Sequence, residues 1–264
     1  MNGLGNDFIL IDQTESPFPH NLIESAKLLC NRNYSIGADG LVIIDYSECA
    51  DYKMQIFNSD GSEAAMCGNA IRCVGLYLYE EKNFKKEFAC LQTLAGIKQI
   101  KPVFENGTIK SFVVNMGVPK LATMNSLITS LKLPGDIDVN LIKLVDVGNL
   151  HAVVFANFNG RSCFKQLAQD LSNIPFFKGT FNIEIVRVLD SNKIEALVYE
   201  RGVGFTLACG TGAIAIAFAA VLNKLVNYPL IVSMDGGEFV VFNDGFNSFI
   251  EASCAFNYYG FVTI

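Results

Sequence analysis

The sequence is poor in charge and has no basic cluster. Charged residues make up 17% of its 264 residues, and the formal net charge is −6. The longest basic run is the pair Lys85-Lys86, whereas a nucleic-acid-binding surface concentrates Lys and Arg on one face. We therefore expect no binding to DNA or RNA.

Long apolar segments are also missing. The most apolar stretch, Leu207 to Leu222, contains Gly210, Thr211 and Gly212, and it is shorter than the roughly 18 to 20 apolar residues that a membrane span needs. The stretch from Met1 to Asp7 has no basic region followed by an apolar one, so we expect no signal peptide. These features predict a cytoplasmic protein that does not contact membranes.

Histidine is scarce, and the cysteines are not spaced for metal binding. The chain has only two histidines, His20 and His151, and eight cysteines, none separated from the next by two residues. Structural zinc sites combine closely spaced Cys and His, so we expect no metal site. Without a secretion signal, the cysteines are expected to be free thiols rather than disulfides.

What the sequence does contain is an internal repeat. Residues 57–70 and 199–213 share an aromatic residue, a polar residue, a glycine-bearing turn and a Cys-Gly pair nine positions after the polar residue. Upstream, Asn6 precedes Cys67 by 61 residues and Asn149 precedes Cys209 by 60. The chain is therefore expected to be a duplication, and its length suits two domains.

Composition and local pattern indicate two similar α+β units. Hydrophobic residues reach 51%, which is enough for a large core. Runs rich in β-branched and aromatic residues predict strands at 8–11, 41–45, 52–57, 97–104, 109–115, 152–157, 183–189, 194–199, 229–234 and 238–242. Helical periodicity predicts helices near 21–31, 68–83, 163–171 and 210–224.

The expected domain boundary lies at the Gly and Pro of residues 116–119. It gives an N-terminal domain of residues 1–116, which carries Cys67, and a C-terminal domain of residues 117–264, which carries Cys209. We expect the last residues, from roughly 255 onward, to return to the N-terminal domain.

Each Cys-Gly pair stands where a loop is predicted to become a helix. The free amides and partial positive charge of a helix N-terminus are expected to lower the thiol pKa from about 8.5 toward neutrality. The amides of Gly68-Asn69 and Gly210-Thr211 can hold a carboxylate. Two thiols on opposite faces of one carbon could remove and return a proton, which predicts inversion of a stereocentre without a cofactor.

Other functions fit parts of this pattern. A thiol hydrolase would use one cysteine as nucleophile and His151 as base, but it would leave the second Cys-Gly pair without a role. A non-catalytic binder of amino acids or anions would keep the helix termini without the chemistry. A racemase acting on a different amino acid would use the same two thiols.

The motifs resemble those of the diaminopimelate epimerase family, in matching order from residue 2 to about residue 260. They are Gly3-Leu4-Gly5-Asn6-Asp7-Phe8, Asn58-x-Asp60-Gly61-Ser62, Cys67-Gly68-Asn69, Val114-Asn115-Met116-Gly117, Gly148-Asn149-x-His151, Glu200-Arg201-Gly202-x-Gly204 and Ala208-Cys209-Gly210-Thr211-Gly212. The resemblance implies an α/β fold of the α+β type. It has two pseudo-symmetric domains, each a curled and mostly antiparallel sheet around a central helix, with the active site in the interdomain cleft.

The resemblance also implies an isomerase that interconverts LL- and meso-diaminopimelate without a cofactor, in lysine and peptidoglycan precursor synthesis. Cys67 and Cys209 would be the catalytic acid and base, and His151 and Glu200 would tune the thiol pKa values. The implied substrate-binding residues are Asn6, Asn58, Gly68, Asn69, Asn149, Asn182, Glu200, Arg201, Gly210 and Thr211. A homodimer is implied as well, with Tyr258 at the subunit contact.

Overall fold

The computed structural model describes residues 1–125, 138–157 and 161–262. The chain divides into two compact units. The first unit consists of Met1–Val114 together with Ala252–Ile264, and the second unit is Asn115–Glu251. In the part of the chain that is described, no helix is long and apolar enough to cross a membrane.

The first unit is a sheet with two helices, α1 (Leu22–Leu29) and α2 (Gly68–Glu80). Its strands are β1 (Asn2–Gly3), β2 (Asn6–Asp12), β3 (Gly40–Asp45), β4 (Tyr52–Asn58), β5 (Glu63–Ala64), β6 (Ala89–Thr93), β7 (Gly96–Glu105) and β8 (Thr108–Gly117), the last of which ends in the second unit. The pairs β2–β3 and β4–β6 are parallel. The pairs β1–β2, β3–β4, β4–β5, β6–β7 and β7–β8 are antiparallel.

The second unit repeats this plan with helices α3 (Arg161–Asn173) and α4 (Gly210–Leu222). Its strands are β9 (Lys120–Leu121), β10 (Asp138–Asp146), β11 (Leu150–Asn157), β12 (Asn182–Asp190), β13 (Lys193–Glu200), β14 (Gly204–Thr206), β15 (Leu230–Met234), β16 (Gly237–Asn243) and β17 (Ser248–Ala252), whose last residue belongs to the first unit. The pairs β11–β12 and β13–β15 are parallel. The pairs β9–β10, β10–β11, β12–β13, β13–β14, β15–β16 and β16–β17 are antiparallel.

The strand register shows the duplication residue by residue. Phe8 lies opposite Gly40 in the parallel pair β2–β3, and His151 lies opposite Asn182 in the parallel pair β11–β12. Both pairs lead into an antiparallel strand, a short hairpin strand and then the helix that follows a Cys-Gly. The predicted fold class, two similar and mostly antiparallel α+β units, is confirmed.

The helix that follows each Cys-Gly lies in the core of its unit. Helix α4, Gly-Thr-Gly-Ala-Ile-Ala-Ile-Ala-Phe-Ala-Ala-Val-Leu, has no charged residue and most of it is buried, as expected for a helix that is apolar on every side. Helix α2 packs closely because of Gly75, where an added Cβ would lie 2.7 Å from Ile100 Cδ1 and 3.0 Å from Phe112 Cε1. Glycine there lets the helix approach β7 and β8 closely.

The other two helices each present one apolar side to the sheet. Asn21 begins α1 by accepting from the amides of Ile23 and Glu24, a common N-cap arrangement. The buried side of α1 packs on β3 and β4 through Ala26, Leu29, Leu41, Ile43 and Phe57. The buried side of α3 packs on the second unit's sheet through Phe164, Leu167, Ala168 and Leu171.

All ten predicted strands and all four predicted helices are confirmed, with ends shifted by a few residues. The sequence pattern missed three longer strands, β6, β10 and β17. Strand β6, Ala-Cys-Leu-Gln-Thr, has few strong β-forming residues, and it is formed by pairing with both β4 and β7. Tertiary pairing overrides weak local preference in such strands.

Candidate active site

Cys67 stands at the start of α2, as predicted. The hairpin β4–β5 delivers the chain to this point, and Cys67 is the N-cap residue, with extended backbone angles φ −138° and ψ 119°. Its thiol is partly exposed. Because the first amides of a helix have no partner within it, this position places N–H groups beside the thiol.

Two asparagines contact each other beside the Cys67 thiol. Asn6 Oδ1 lies 3.8 Å from Cys67 Sγ and accepts from Asn69 Nδ2 at 3.2 Å. Asn6 Nδ2 donates to Asp39 Oδ2 at 2.6 Å. Since the carboxylate can only accept, Asp39 holds the amide with its oxygen toward the thiol.

Asp39 is itself held by an ion-pair network at the surface. Arg32 donates to both carboxylate oxygens of Asp7, at 2.9 and 2.7 Å, and to Asp39 Oδ1 at 2.8 Å. Partial burial acts to raise the pKa of Asp7, but the bonds from Arg32 outweigh it and the pKa is lowered. The network favours the ionised form of Asp7 and holds Asp39 beside Asn6.

A buried arginine holds Asn69 in place within the Cys67 half-site, by which we mean Cys67 with Asn6, Gly68 and Asn69. Arg72 on α2 is fully buried and donates to Gly68 O at 2.7 Å, Asn69 Oδ1 at 2.9 Å and Ser253 O at 3.4 Å. Because Arg72 fixes Asn69 Oδ1, the amide nitrogen of Asn69 is directed toward Asn6. The first-unit residues Asn6, Cys67, Gly68 and Asn69 are thus brought together.

Cys209 occupies the matching position in the second unit. It is the N-cap residue of α4, with φ −130° and ψ 114°, and its side chain is 6% exposed. Its sulfur accepts from the Gly212 amide at 3.4 Å and lies 3.4 Å from Thr211 Oγ1. Its own amide contacts Met234 Sδ at 3.4 Å.

The expectation of a lowered thiol pKa is wrong for Cys209 in this state. Burial raises the pKa of Cys209 well above its ordinary value, and the carboxylates of Glu200 and Glu184 raise it further. The bonds from Thr211 and Gly212 act in the opposite direction and are weaker. Desolvation therefore outweighs the helix N-terminus at this thiol.

Glu200 is the last residue of β13, and its partly buried carboxylate lies near Cys209. Burial raises the pKa of Glu200, while a hydrogen bond from Thr206 opposes the change and the charge of Glu184 reinforces it. Thr206 Oγ1 donates to Glu200 Oε1 at 2.6 Å. Cys209 also lies in hydrogen-bonding contact with the Glu200 carboxylate.

A line of hydrogen bonds leads from Cys209 into the sheet. Thr211 Oγ1 accepts from Asn149 Nδ2 at 3.4 Å, and Asn149 Oδ1 lies 3.0 Å from His151 Nε2. His151 Nδ1 lies 2.6 Å from Glu184 Oε1, and both side chains are fully buried. The predicted residues Asn149, His151, Cys209 and Thr211 are brought together.

Asn58, Asn182 and Arg201, three further predicted binding residues, lie at or next to the ends of strands. Asn58 ends β4 and donates from Nδ2 to Ser62 Oγ at 3.0 Å. Asn182 is buried at the start of β12, and its Oδ1 accepts from the Arg201 amide at 2.9 Å. The Arg201 side chain is exposed. The sequence placed these residues at the ends of strands, and the structure has them there.

Three residues that shape the two half-sites were missed by the sequence pattern: Asp39, Arg72 and Glu184. A signal existed only for Glu184, a lone acid between Ile183 and Ile185 on an apolar strand. Because side chains alternate along a strand, Glu184 faces the same side as Asn182.

Comparison with solved structures identifies the class of fold. A phenazine biosynthesis protein of the PhzF family from Bacillus anthracis has a TM-score of 0.67 and 18% identity, with 96% of this chain and 92% of that chain covered. A hydroxyproline epimerase from Agrobacterium vitis has a TM-score of 0.60 and 14% identity, covering 95% and 87%. The fold is that shared by PhzF-type proteins and this type of epimerase.

Sequence comparison then gives the family. The diaminopimelate epimerase family model matches residues 1–122 and 143–245. Diaminopimelate epimerase from Phocaeicola vulgatus is 41% identical over 244 residues, which cover 90% of this chain and 87% of the relative. That from Acetivibrio thermocellus is 40% identical, covering 91% and 88%. The chain belongs to the diaminopimelate epimerase family and is an isomerase.

Proposed function

We propose that this protein interconverts LL- and meso-diaminopimelate without a cofactor, using Cys67 and Cys209 as the two proton-transferring groups. One observation carries the assignment. In both units a cysteine is the N-cap of the central helix, and an asparagine at the start of an earlier strand, Asn6 in β2 or Asn149 just before β11, lies beside that helix start. Membership of the family supports diaminopimelate as the substrate, and the duplicated cysteine position supports a mechanism with two proton-transferring groups.

In this mechanism one thiolate removes the α-proton and the other thiol returns a proton to the opposite face. Because burial keeps the Cys209 thiol protonated, Cys209 is poised as the acid in the free enzyme, and the reverse reaction uses it as the base. The amides of Gly68-Asn69 and Gly210-Thr211 bind the reacting carboxylate. They stabilise the negative charge that develops as the proton leaves.

The other polar residues suit a substrate with a second zwitterionic end. Arg201 can bind a carboxylate through two parallel hydrogen bonds. Glu200 and the amide oxygens can accept from an ammonium group. We assign substrate binding to these residues together with Asn6, Asn58, Asn149 and Asn182.

The test removes each thiol in turn. Cys67→Ala and Cys209→Ala should each lower epimerisation of LL-diaminopimelate by about 10² to 10⁴-fold, because each direction uses both groups. Matched controls are Cys49→Ala and Cys163→Ala, which remove exposed thiols and should leave the rate unchanged. Near-normal epimerisation by either Cys67→Ala or Cys209→Ala contradicts the two-base assignment.

Isotope transfer distinguishes two bases from one. In D2O the first product formed should carry deuterium at the inverted carbon, while recovered substrate stays mostly protiated. A single shuttling base would label both isomers from the first turnovers. Activity on another amino acid, with none on diaminopimelate, would indicate the related racemase, and loss of activity on changing only one thiol would indicate a hydrolase-like mechanism.

We also propose that the protein is a cytoplasmic homodimer with Tyr258 in the contact. The C-terminal segment exposes Tyr258, Tyr259 and Phe261, and clustered exposed aromatic residues mark association surfaces. Sedimentation at micromolar concentration should show a dimer, and Tyr258→Asp should convert it to a monomer. A wild-type monomer at that concentration contradicts the proposal.

A further inference from the structure

The two half-sites differ in one buried pair. Strand register makes Phe8 the counterpart of His151, and Val42 the counterpart of Glu184. Phe8 and Val42 are buried and apolar, whereas His151 and Glu184 are fully buried and bonded to each other at 2.6 Å. The duplication thus keeps the cysteine and its asparagine in both copies but has a polar pair behind only one thiol.

The contacts of Glu184 connect it to Cys209. Its carboxylate contacts His151 Nδ1, and the chain of bonds continues through Asn149 and Thr211 to Cys209 Sγ, with steps of 2.6, 3.0, 3.4 and 3.4 Å. The three groups between the ends, on His151, Asn149 and Thr211, each have a neighbour on both sides, so the position of one depends on the others.

Proton placement along this chain follows from the donors present. Asn149 donates to Thr211 through Nδ2, so its oxygen faces His151 Nε2, which must then carry a proton. A second proton lies between His151 Nδ1 and Glu184 Oε1. Because Asn149 donates into the Thr211 oxygen, the Thr211 hydrogen is free to point at Cys209 Sγ, which favours the thiolate.

Helix α4 is shaped to accept this carboxylate. A Cβ on Gly212 would lie 2.9 Å from Glu184 Oε1, closer than real Cβ contacts allow. The counterpart of Gly212 in α2 is Ala70, where Val42 replaces the carboxylate. Glu184 Oε2 has no hydrogen-bond partner among the described residues, an unfavourable state for a buried carboxylate. A buried carboxylate with an unsatisfied oxygen is unfavourable, and within the described part of the chain it occurs beside Cys209 but not beside Cys67. This difference points to a role for Glu184 at Cys209.

We propose that Glu184 is a positioning residue for the Cys209 half-site, acting through His151, Asn149 and Thr211 to hold the Thr211 hydroxyl against the thiol. The role of the Cys209 thiol itself rests on the proposed function. By analogy with carboxylates that orient a functional histidine, the loss of Glu184 should lower activity by about 10 to 100-fold.

The first experiment monitors the hydrogen bond between Glu184 and His151 without measuring activity. The protein has two histidines, and His20 is exposed, so nitrogen NMR of the side chains shows His151 against one internal reference. Wild-type His151 should carry a proton in the bond to Glu184, and Glu184→Gln should shift the His151 nitrogen signals while leaving those of His20 in place. A wild-type spectrum without that proton, or unchanged His151 signals in Glu184→Gln, overturns the proposal.

The second experiment measures kcat/KM for the same variant. The matched control is Glu195→Gln, which removes another acid of the same sheet, one that is ion-paired with Arg187 but lies outside the chain to Cys209. The control should keep wild-type kcat/KM, and Glu184→Gln should lose about 10 to 100-fold. Retention within about twofold by Glu184→Gln overturns the proposal.

A double variant covers the case in which Glu184→Gln does not fold. His151→Phe with Glu184→Val installs the pair that the first unit packs at Phe8 and Val42, so the core stays filled. It should fold and lose activity to a similar extent, and full activity overturns the proposal. If Cys67→Ala and Cys209→Ala both remained active, the proposed function would fail, yet the NMR result would still report on the chain from Glu184.

Discussion

Replacing Arg72 by methionine should destabilise the first unit. The guanidinium is fully buried and donates to Gly68 O, Asn69 Oδ1 and Ser253 O at 2.7, 2.9 and 3.4 Å. Burial lowers the pKa of Arg72, and nearby thiols oppose that change. Methionine has a similar length and fills much of the same space, so the change removes the hydrogen bonds and the charge while leaving little cavity.

The expected magnitude follows from the contacts. The two short bonds come from a charged donor and contribute about 1.5 to 3 kcal/mol each, and the long bond adds little. Removing the buried charge also removes its desolvation cost, which offsets part of this loss. The net loss in the free energy of unfolding should be about 3 kcal/mol, or a fall in Tm of roughly 6 to 12 °C for a chain of this size.

Urea unfolding followed by circular dichroism measures the effect, and hydrogen exchange locates it. Faster exchange should appear in α2 and in residues 252–262, where the lost acceptors lie. Lys101→Met is the matched control because Lys101 and Glu87 form an exposed pair, worth less than about 1 kcal/mol. If Arg72→Met costs no more than Lys101→Met, the buried guanidinium does not stabilise the unit and the reasoning is refuted.

Two further predictions concern pH. Burial acts to raise the pKa of Asp12, but hydrogen bonds from Thr14 and Tyr77 outweigh burial and lower the pKa. The stability that ionised Asp12 contributes is therefore present above its unfolded-state pKa and is lost as pH falls through its folded-state pKa. Asp12→Asn should therefore be less stable at pH 7 and lose less stability on acidification, as urea unfolding across pH would show; a parallel acid loss in both proteins contradicts this. Burial and Glu200 raise the pKa of Cys209, so alkylation of the Cys209 thiol, measured on its peptide by mass spectrometry, should need alkaline pH. Glu200→Gln should shift the midpoint of the alkylation rate to lower pH. An unshifted midpoint would show that Glu200 does not act on this thiol.

Much of the architecture could be predicted from the sequence because it depends on local chemistry. Runs rich in β-branched and aromatic residues predicted the main strands, and the Cys-Gly pairs marked the starts of α2 and α4. The nearly equal spacings, 61 residues from Asn6 to Cys67 and 60 from Asn149 to Cys209, revealed the duplication. These features need no knowledge of distant contacts.

The properties of each half-site were decided only by the tertiary structure. The helix start predicted a lowered pKa at Cys209, but the pKa is raised because packing excludes water from the thiol and brings Glu200 and Glu184 near it. In the sequence Arg72 is an ordinary charged residue on a predicted helix, and only the folded structure shows that it is fully buried. Glu184 reaches the His151 ring through the register of two strands about 30 residues apart in sequence. Desolvation and charge coupling depend on which residues surround a group in space, and that information is not contained in its local sequence.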